Sequence, residues 1–300
     1  MSPSEPQQRL GTVAAIDDPK IARLVSVLKD LGQVAVAYSG GVDSAFLLKV
    51  AWDVLGQGAM GVLAWSESMD RNEYAEAQKV AAAMGIPIRI IETREFDNPA
   101  YRQNAPDRCY HCKTELFKRV KDFAAQKGIP WVLDGSNSDD LGDYRPGARA
   151  RAEKGVRSPL QEAGLTKDEI RRHSRALGVP TWDKPSAPCL SSRIPYGTEV
   201  TDERLRQVEA SEASLRSLGF REVRVRHHGQ IARIEIPPAD FPRILDAQVR
   251  EAVIGAIKES GFLYVALDLQ GIRSGSLNEV LKRAGASPAP LDPRDLPIIP

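Results

Sequence analysis

The stretch from Val34 to Val50, VAVAYSGGVDSAFLLKV, constrains the fold of this chain more than any other. An apolar, β-leaning run (Val34 to Tyr38) stops at Ser39-Gly40-Gly41, and a helix-compatible run, SAFLLKVAWDVL, starts at about Asp43. Strand, glycine-rich turn, helix is an order that turns backbone N–H groups and the positive end of a helix toward an anion. Adjacent glycines allow positive φ and let the backbone approach a phosphate closely. Ser39, Asp43 and Ser44 offer short polar side chains to cap the helix, and the two hydroxyls can donate to oxyanions.

The kinase-type loop would read GxxxxGK[ST], and no lysine stands where it would reach terminal phosphates; GxGxxG is absent as well. The string SGGVDS resembles instead the pyrophosphate loop of the ATP pyrophosphatase superfamily, whose members split ATP between the α and β phosphates and adenylylate a carbonyl or carboxylate oxygen. The resemblance implies an ATP site at Ser39, Gly40, Gly41, Val42, Asp43 and Ser44, with Asp43 the candidate for catalysis and for Mg²⁺. The plain alternative is an ordinary glycine turn before a helix.

A chain of 300 residues is long enough for one large domain and a smaller one. With 41 basic and 40 acidic residues the net charge is +1, so the chain lacks the domain-wide basic field usual for nucleic-acid binding. No apolar run approaches the roughly 20 residues that span a bilayer. The start, MSPSEPQQRLG, has no basic segment followed by an apolar one, so a cytoplasmic protein without a signal peptide or membrane partner is expected.

Along the chain, residues 1–17 read as a flexible lead-in and KIARLVSVLKDLG as a helix ending at Gly32. After the loop come a strand in AMGVLAWSES, a helix in NEYAEAQKVAAAMG, and a strand in IPIRIIET. This alternation predicts an α/β fold with a doubly wound parallel sheet, whose ligands sit at the carboxyl ends of the strands. Ser66 and Ser68 fall at such an end. Residues 96–107 read as loop, and Cys109 and Cys112 open a helix. A fourth strand, Trp131 to Leu133, runs into an acidic loop with Asp134, Gly135, Asn137, Asp139, Asp140, Asp143 and Arg145. Its position favours a role for Gly135, Asp139 and Asp140 beside ATP and Mg²⁺ over a solvated turn. Thr166 and Glu169 form a capping box, and Lys167, Arg171 and Arg172 near that helix start could face phosphate as readily as solvent.

After Gly197 the pattern changes to a helix, two strands around HHGQ, a long helix from about Pro238 to Ser260, and a strand in FLYVALDL, a small α+β unit. The expected organisation is lead-in 1–17, loop-bearing domain 18–197, C-terminal domain 198–284 and proline-rich tail 285–300.

Cys109, Cys112 and Cys189 are all the cysteines present. A CxxC pair alone fits a redox couple, half of a zinc site or part of an iron–sulfur site. Three thiolates without an obvious fourth ligand suit a [4Fe–4S] cluster with one open iron, while three incidental cysteines remain the plain alternative.

Taken together, SGGVDS, PDRCYHCK, DGSNSDDLGDYRPG, PSAPCLSSRIPYG and VRVRHHGQIARIEI resemble the LarE family from about Val34 to about Gly275. These are ATP-dependent sulfur transferases of nickel-pincer nucleotide cofactor synthesis. The family adenylylates a carboxylate of pyridinium-3,5-biscarboxylic acid mononucleotide, releasing pyrophosphate, and installs sulfur as a thiocarboxylate. In one subtype a lone cysteine matching Cys189 gives up its own sulfur; in the other, three cysteines hold a [4Fe–4S] cluster carrying an extra sulfide. Having all three, this chain resembles the cluster-bearing subtype, reloaded by a sulfide donor that the sequence does not name. The resemblance also implies that Ser192, Arg193, Glu212 and Arg224 or Arg226 line the substrate's phosphate and metal pocket, and that the protein is a homo-oligomer. A tRNA thiolase, an ammonia-using synthetase and a nucleotide-gated iron–sulfur sensor are the rival readings; the first would want a more basic surface, and the second leaves the cysteines unexplained.

Overall fold

A computed structural model describes residues 11–142, 146–185, 188–273 and 276–279. The expected proline-rich tail, the first ten residues of the expected lead-in, and Asp143 and Arg145 of the acidic loop lie outside these. The elements run α1 (Pro19–Leu31), β1 (Val34–Tyr38), α2 (Val42–Leu55), β2 (Ala59–Trp65), α3 (Arg71–Ala83), β3 (Ile88–Glu92), α4 (Pro99–Arg102), α5 (Arg108–Gln126), β4 (Trp131–Leu133), α6 (Pro146–Glu153), α7 (Pro159–Glu162), α8 (Lys167–Ala176), α9 (Asp202–Ser217), β5 (Arg224–His228), β6 (Ile231–Glu235), α10 (Phe241–Leu245), α11 (Ala247–Glu259) and β7 (Tyr264–Leu267).

The first sheet has the order β3-β2-β1-β4, all parallel, with Val34 paired to both Ala59 and Trp131. Alternating side chains of β1 feed two layers, as strand geometry requires. Val34 and Val36 pack with Ile21, Leu24 and Leu28 of α1 and Phe46 and Leu48 of α2. Ala35 faces the other way, joining Val62, Val132, and Phe117 and Val120 of α5. Helices cover both faces, so the sheet is doubly wound as expected. Its carboxyl end carries the three segments that follow β1, β2 and β4.

The second sheet, β5-β6-β7, pairs β5 with β6 antiparallel and β6 with β7 parallel. Its core joins Leu215 of α9 and Val253 and Ile257 of α11 to Val225 and Ile234. A further cluster, Tyr101, Leu190, Ile194, Val200, Leu205 and Val208, spans the change of pattern at Gly197.

Two expectations need correction. The long helix from Pro238 to Ser260 is broken at Asp246, which has extended backbone (φ −54°, ψ 137°) and accepts hydrogen bonds from Gln248 and Val249 as the cap of α11. Asp competes well for such positions because its carboxylate satisfies free helix amides. Residues 11–17, read as loose, are held: Gly11 N donates to the Leu177 carbonyl, Val13 N to Asp53, and Val13 is buried. Among the described residues no helix is long and apolar enough to cross a membrane.

Candidate functional site

The glycine turn after β1 is tight for two independent reasons. Gly40 has φ +72°, and a Cβ there would lie 2.5 Å from Cβ of Ala77 on α3. Contrary to the capping expectation, the N-cap of α2 is Gly41 and no side chain caps it. Ser44 Oγ instead accepts from Ser39 N (3.1 Å) and donates to the Gly41 carbonyl, with the two serine hydroxyls 3.1 Å apart. The first amides of α2 therefore keep the unmet donor capacity and partial positive charge that suit a phosphate. Val42, buried, anchors this turn from below.

Neighbouring segments close around it. A Cβ on Gly135 would stand 2.9 Å from Ser44 N, so the loop after β4 lies directly against the first turn of α2. Lys167 Nζ donates to Asp43 Oδ2 at 2.5 Å, and Lys167 N donates to Asp139 Oδ2 at 2.8 Å. Asp43 Oδ1 is buried without a hydrogen-bond partner among the described residues. Asp140 accepts from Asn137 N and shapes the same loop. Of the three cations near the start of α8, only Lys167 reaches the glycine turn; Arg171 donates to the carbonyls of Trp182 and Lys184, and Arg172 sits by Asp18. Sequence spacing could not separate these three, because the contact joins residues 124 positions apart.

Ser66 and Ser68 are buried at the end of β2, 2.9 Å apart through their hydroxyls. Ser68 donates onward to Glu95 (2.7 Å), and its carbonyl accepts from Leu190 N (3.1 Å). That last bond brings the segment carrying Cys189 to the end of the first sheet.

Cys109 and Cys112 lie in the first turn of α5, and Cys189 is exposed just before a 3-10 turn at Leu190–Arg193. All three thiols are free. Cys112 keeps some exposed surface but packs against the Tyr101 and Leu190 cluster. Burial pushes its thiol well up, and the charges of Glu95, Cys189 and Cys109 add to this against Lys113. Between the two cysteine segments lies the buried guanidinium of Arg108, with Nη2 3.8 Å from Cys109 Sγ. Burial alone would lower its pKa; the neighbouring Cys189, Cys109 and Tyr101 together with the contact to Cys109 more than offset this and leave it raised. Of the three thiols, Cys109 touches this cation, and the segment that follows Cys189 is tied to it through the Ser191 carbonyl. Among the described residues no three His, Cys, Asp or Glu side chains stand close enough to share one metal ion. A cluster in which each thiolate holds its own iron does not ask that of them.

The residues assigned to substrate divide into two sets. Arg193 grips Glu212 with two hydrogen bonds (2.7 and 3.0 Å), while its Nη1 holds the Pro188 carbonyl and Ser192 Oγ. Glu212 is wholly buried and also accepts from Arg216 and Val225 N, so its oxygens are occupied by the protein itself. Arg226 is paired likewise with Glu235 and donates to the Ser192 carbonyl. A cavity of about 460 Å³ opens beside it, lined by Arg193, Arg226, His228, Arg233, Asp268 and Arg273 among others. Arg226, not Arg224, is on that wall; Arg224 donates to the Arg273 carbonyl. Burial, then repulsion from Arg233 and Arg226, lowers the pKa of His228.

No protein-family model matches the chain. It is 43% identical over 267 residues to the pyridinium-3,5-bisthiocarboxylic acid mononucleotide synthase of Lactiplantibacillus plantarum, covering 88% of this chain and 96% of that protein. An uncharacterized protein of Synechocystis is 45% identical over 266 residues, 89% of this chain and 99% of that protein. A GMP synthase of Phaeosphaeria nodorum is more distant, 25% identical over 232 residues, with 65% of this chain and 42% of that protein covered.

Proposed function

The chain belongs to the LarE family, that of the pyridinium-3,5-bisthiocarboxylic acid mononucleotide synthase, and from this premise we propose an ATP-dependent sulfurtransferase of nickel-pincer cofactor synthesis. Its substrate is the corresponding dicarboxylate mononucleotide. ATP phosphates bind at the uncapped first turn of α2, between the Ser39 and Ser44 hydroxyls and Lys167. Asp43 would hold Mg²⁺, which neutralises charge as pyrophosphate leaves. A substrate carboxylate oxygen bonds to the α-phosphorus, the α–β bridging bond breaks, and pyrophosphate leaves. A sulfide-level sulfur nucleophile then bonds to the acyl carbon, AMP departs, and the bond between that sulfur and its donor breaks, leaving the thiocarboxylate.

Cys109, Cys112 and Cys189 would hold a [4Fe–4S] cluster, which when bound supplies the sulfur nucleophile. Arg226, with Arg233 and Arg273, receives the substrate phosphate in the cavity that the second sheet forms with Arg193, Pro195 and residues 267–270 and 276–277. Glu212 and Arg193 act as positioning residues through Ser192. The observation that carries this reading is the Leu190 N to Ser68 carbonyl bond, which sets the Cys189 segment beside the phosphate-binding end of the sheet. The exposure of Cys189 favours, as a second reading, sacrifice of its own sulfur. Homo-oligomeric assembly belongs to the same proposal, with the β7 edge and its exposed Leu263, Tyr264 and Leu269 as the contact surface.

Two measurements test it. Pyrophosphate release from ATP should require the dicarboxylate mononucleotide and be accompanied by a thiocarboxylate product in mass spectrometry; release without it, or none, sinks the enzyme assignment. About four irons per chain after anaerobic purification, sharply reduced in Cys189→Ala, are expected for the cluster. Iron-free protein that loses sulfur from Cys189 on turnover selects the sacrificial route.

A further inference from the structure

Arg108 is a buried cation with no carboxylate partner among the described residues. Its Nη1 donates to Asn104 Oδ1 (2.6 Å) and to the Ser191 carbonyl (2.7 Å), and its Nη2 approaches Cys109 Sγ. A desolvated guanidinium is costly unless an anion faces it. Cys109 Sγ, 3.8 Å from Nη2, can carry that charge, and the Ser191 bond ties the same guanidinium to the segment that holds Cys189. Asn104 is equally unusual: fully buried, held at φ +55°, with its Nδ2 donating to the carbonyls of Ile194, Pro195 and Thr198. Tyr101 adds a 2.6 Å hydroxyl contact to Ser191. Two cysteine-bearing stretches that lie far apart in sequence are thus stitched together through Tyr101, Asn104 and Arg108.

We propose that Arg108 is the positioning residue that joins the Cys189 segment to Cys109 and Cys112 and supplies the fixed positive charge that holds anionic sulfur there. This rests on the reading of the three thiols as the sulfur-handling site. A guanidinium is required because one planar fork serves the Asn104 oxygen, the Ser191 carbonyl and the Cys109 sulfur together; an ammonium keeps the charge but not the fork.

The test uses the full chain as wild type, Arg108→Gln and Arg108→Lys, each checked for folding by gel filtration and thermal melting. Iron and acid-labile sulfide are measured after anaerobic purification. In iron-free protein, diamide takes up two protons and two electrons as a thiol pair closes, and peptide mapping reports disulfides from Cys189 to Cys109 or Cys112. Wild type should crosslink readily. Both variants should slow by about tenfold or more, the loss expected for a buried charge-assisted hydrogen bond. Arg108→Lys should retain more iron than Arg108→Gln. Wild-type iron and crosslinking in Arg108→Gln, or no crosslink in the wild type, overturns the proposal. If Arg108→Gln does not fold, Arg108→Lys decides: a wild-type crosslinking rate there overturns it. Wild type without iron would instead remove the cluster reading, while the crosslinking rates still judge Arg108.

Discussion

At the scale of single residues, the phosphate loop lacks a lysine of its own, and Lys167 reaches it from the start of α8. Replacing Lys167 with Met should raise the ATP KM by about tenfold to a hundredfold, the worth of one charge-assisted bond to phosphate, with a smaller change in kcat. Pyrophosphate-release kinetics read both, and an unchanged KM would remove Lys167 from the site. Gly40 makes a second point. Alanine there meets both a left-handed backbone and a clash with Ala77, so Gly40→Ala should cost about 2–4 kcal/mol in urea unfolding. Gly56, with φ +55° and open space around its missing Cβ, isolates the backbone part, and Gly56→Ala should cost only about 1–2 kcal/mol. Equal losses would mean that the contact with Ala77 relaxes freely. SGGVDS was legible because a short contiguous motif carries both turn geometry and anion chemistry. That Lys167 rather than Arg171 contacts Asp43, and that Arg226 rather than Arg224 lines the cavity, was not, since each depends on where a side chain ends after long-range packing.

At the scale of elements, strands and helices with unbroken apolar patterning were readable, among them β1, α1 and the capping box that starts α8. The interruption at Asp246 was hidden because apolar residues continue on both sides of it; only the cap geometry breaks the run. The capping box has a further role that the sequence did not reveal. Glu169 accepts from Thr166 and also receives Lys20 Nζ from α1 at 2.8 Å, tying the first helix to α8. The Lys20 contact, then the Thr166 amide, hold its carboxyl down at about 2, against 4.5 ordinarily. The unfolded chain therefore binds this proton first. The resulting stability is complete above about pH 4.5 and is lost as pH falls toward 2. Glu169→Gln keeps the cap but removes the charge. Its urea midpoint should lie below wild type at pH 7, and the gap should shrink below pH 4.5 and close only as the pH reaches about 2. A constant gap across that range would show that the pair with Lys20 contributes nothing through its charge.

At the scale of the whole molecule, the Cys189 segment is gripped from both sheets. Ser68 holds it from the end of β2 and Arg108 from α5, while Arg226 reaches it from β5 and its own Arg193 is bound by Glu212 of α9. The two sheets are themselves linked through a chain of charges whose carboxylates and Arg193 are buried while Arg216 is partly exposed. Asp70, the cap of α3, pairs with Arg216 (2.8 Å); Arg216 pairs with Glu212, and Glu212 with Arg193. Removing one member of a buried ionic group leaves its partner desolvated and unpaired, typically at about 3–5 kcal/mol. Glu212→Ala strands Arg193 in this way and also orphans Val225 N, so it should loosen the Cys189 segment and β5 together. Hydrogen exchange should accelerate at residues 188–194 and 224–228 while β1 and α2 stay protected. Urea unfolding followed by a probe in the second sheet should shift to lower urea than a probe in β1 and α2, relative to wild type, as the second sheet opens first. Arg216→Ala should cost less once Glu212 is gone, a non-additivity expected only of residues acting through one network. If exchange rises in β5 alone and residues 188–194 keep wild-type protection, the charges hold the second sheet together without positioning the sulfur site, and that site depends on Arg108 and Ser68 alone.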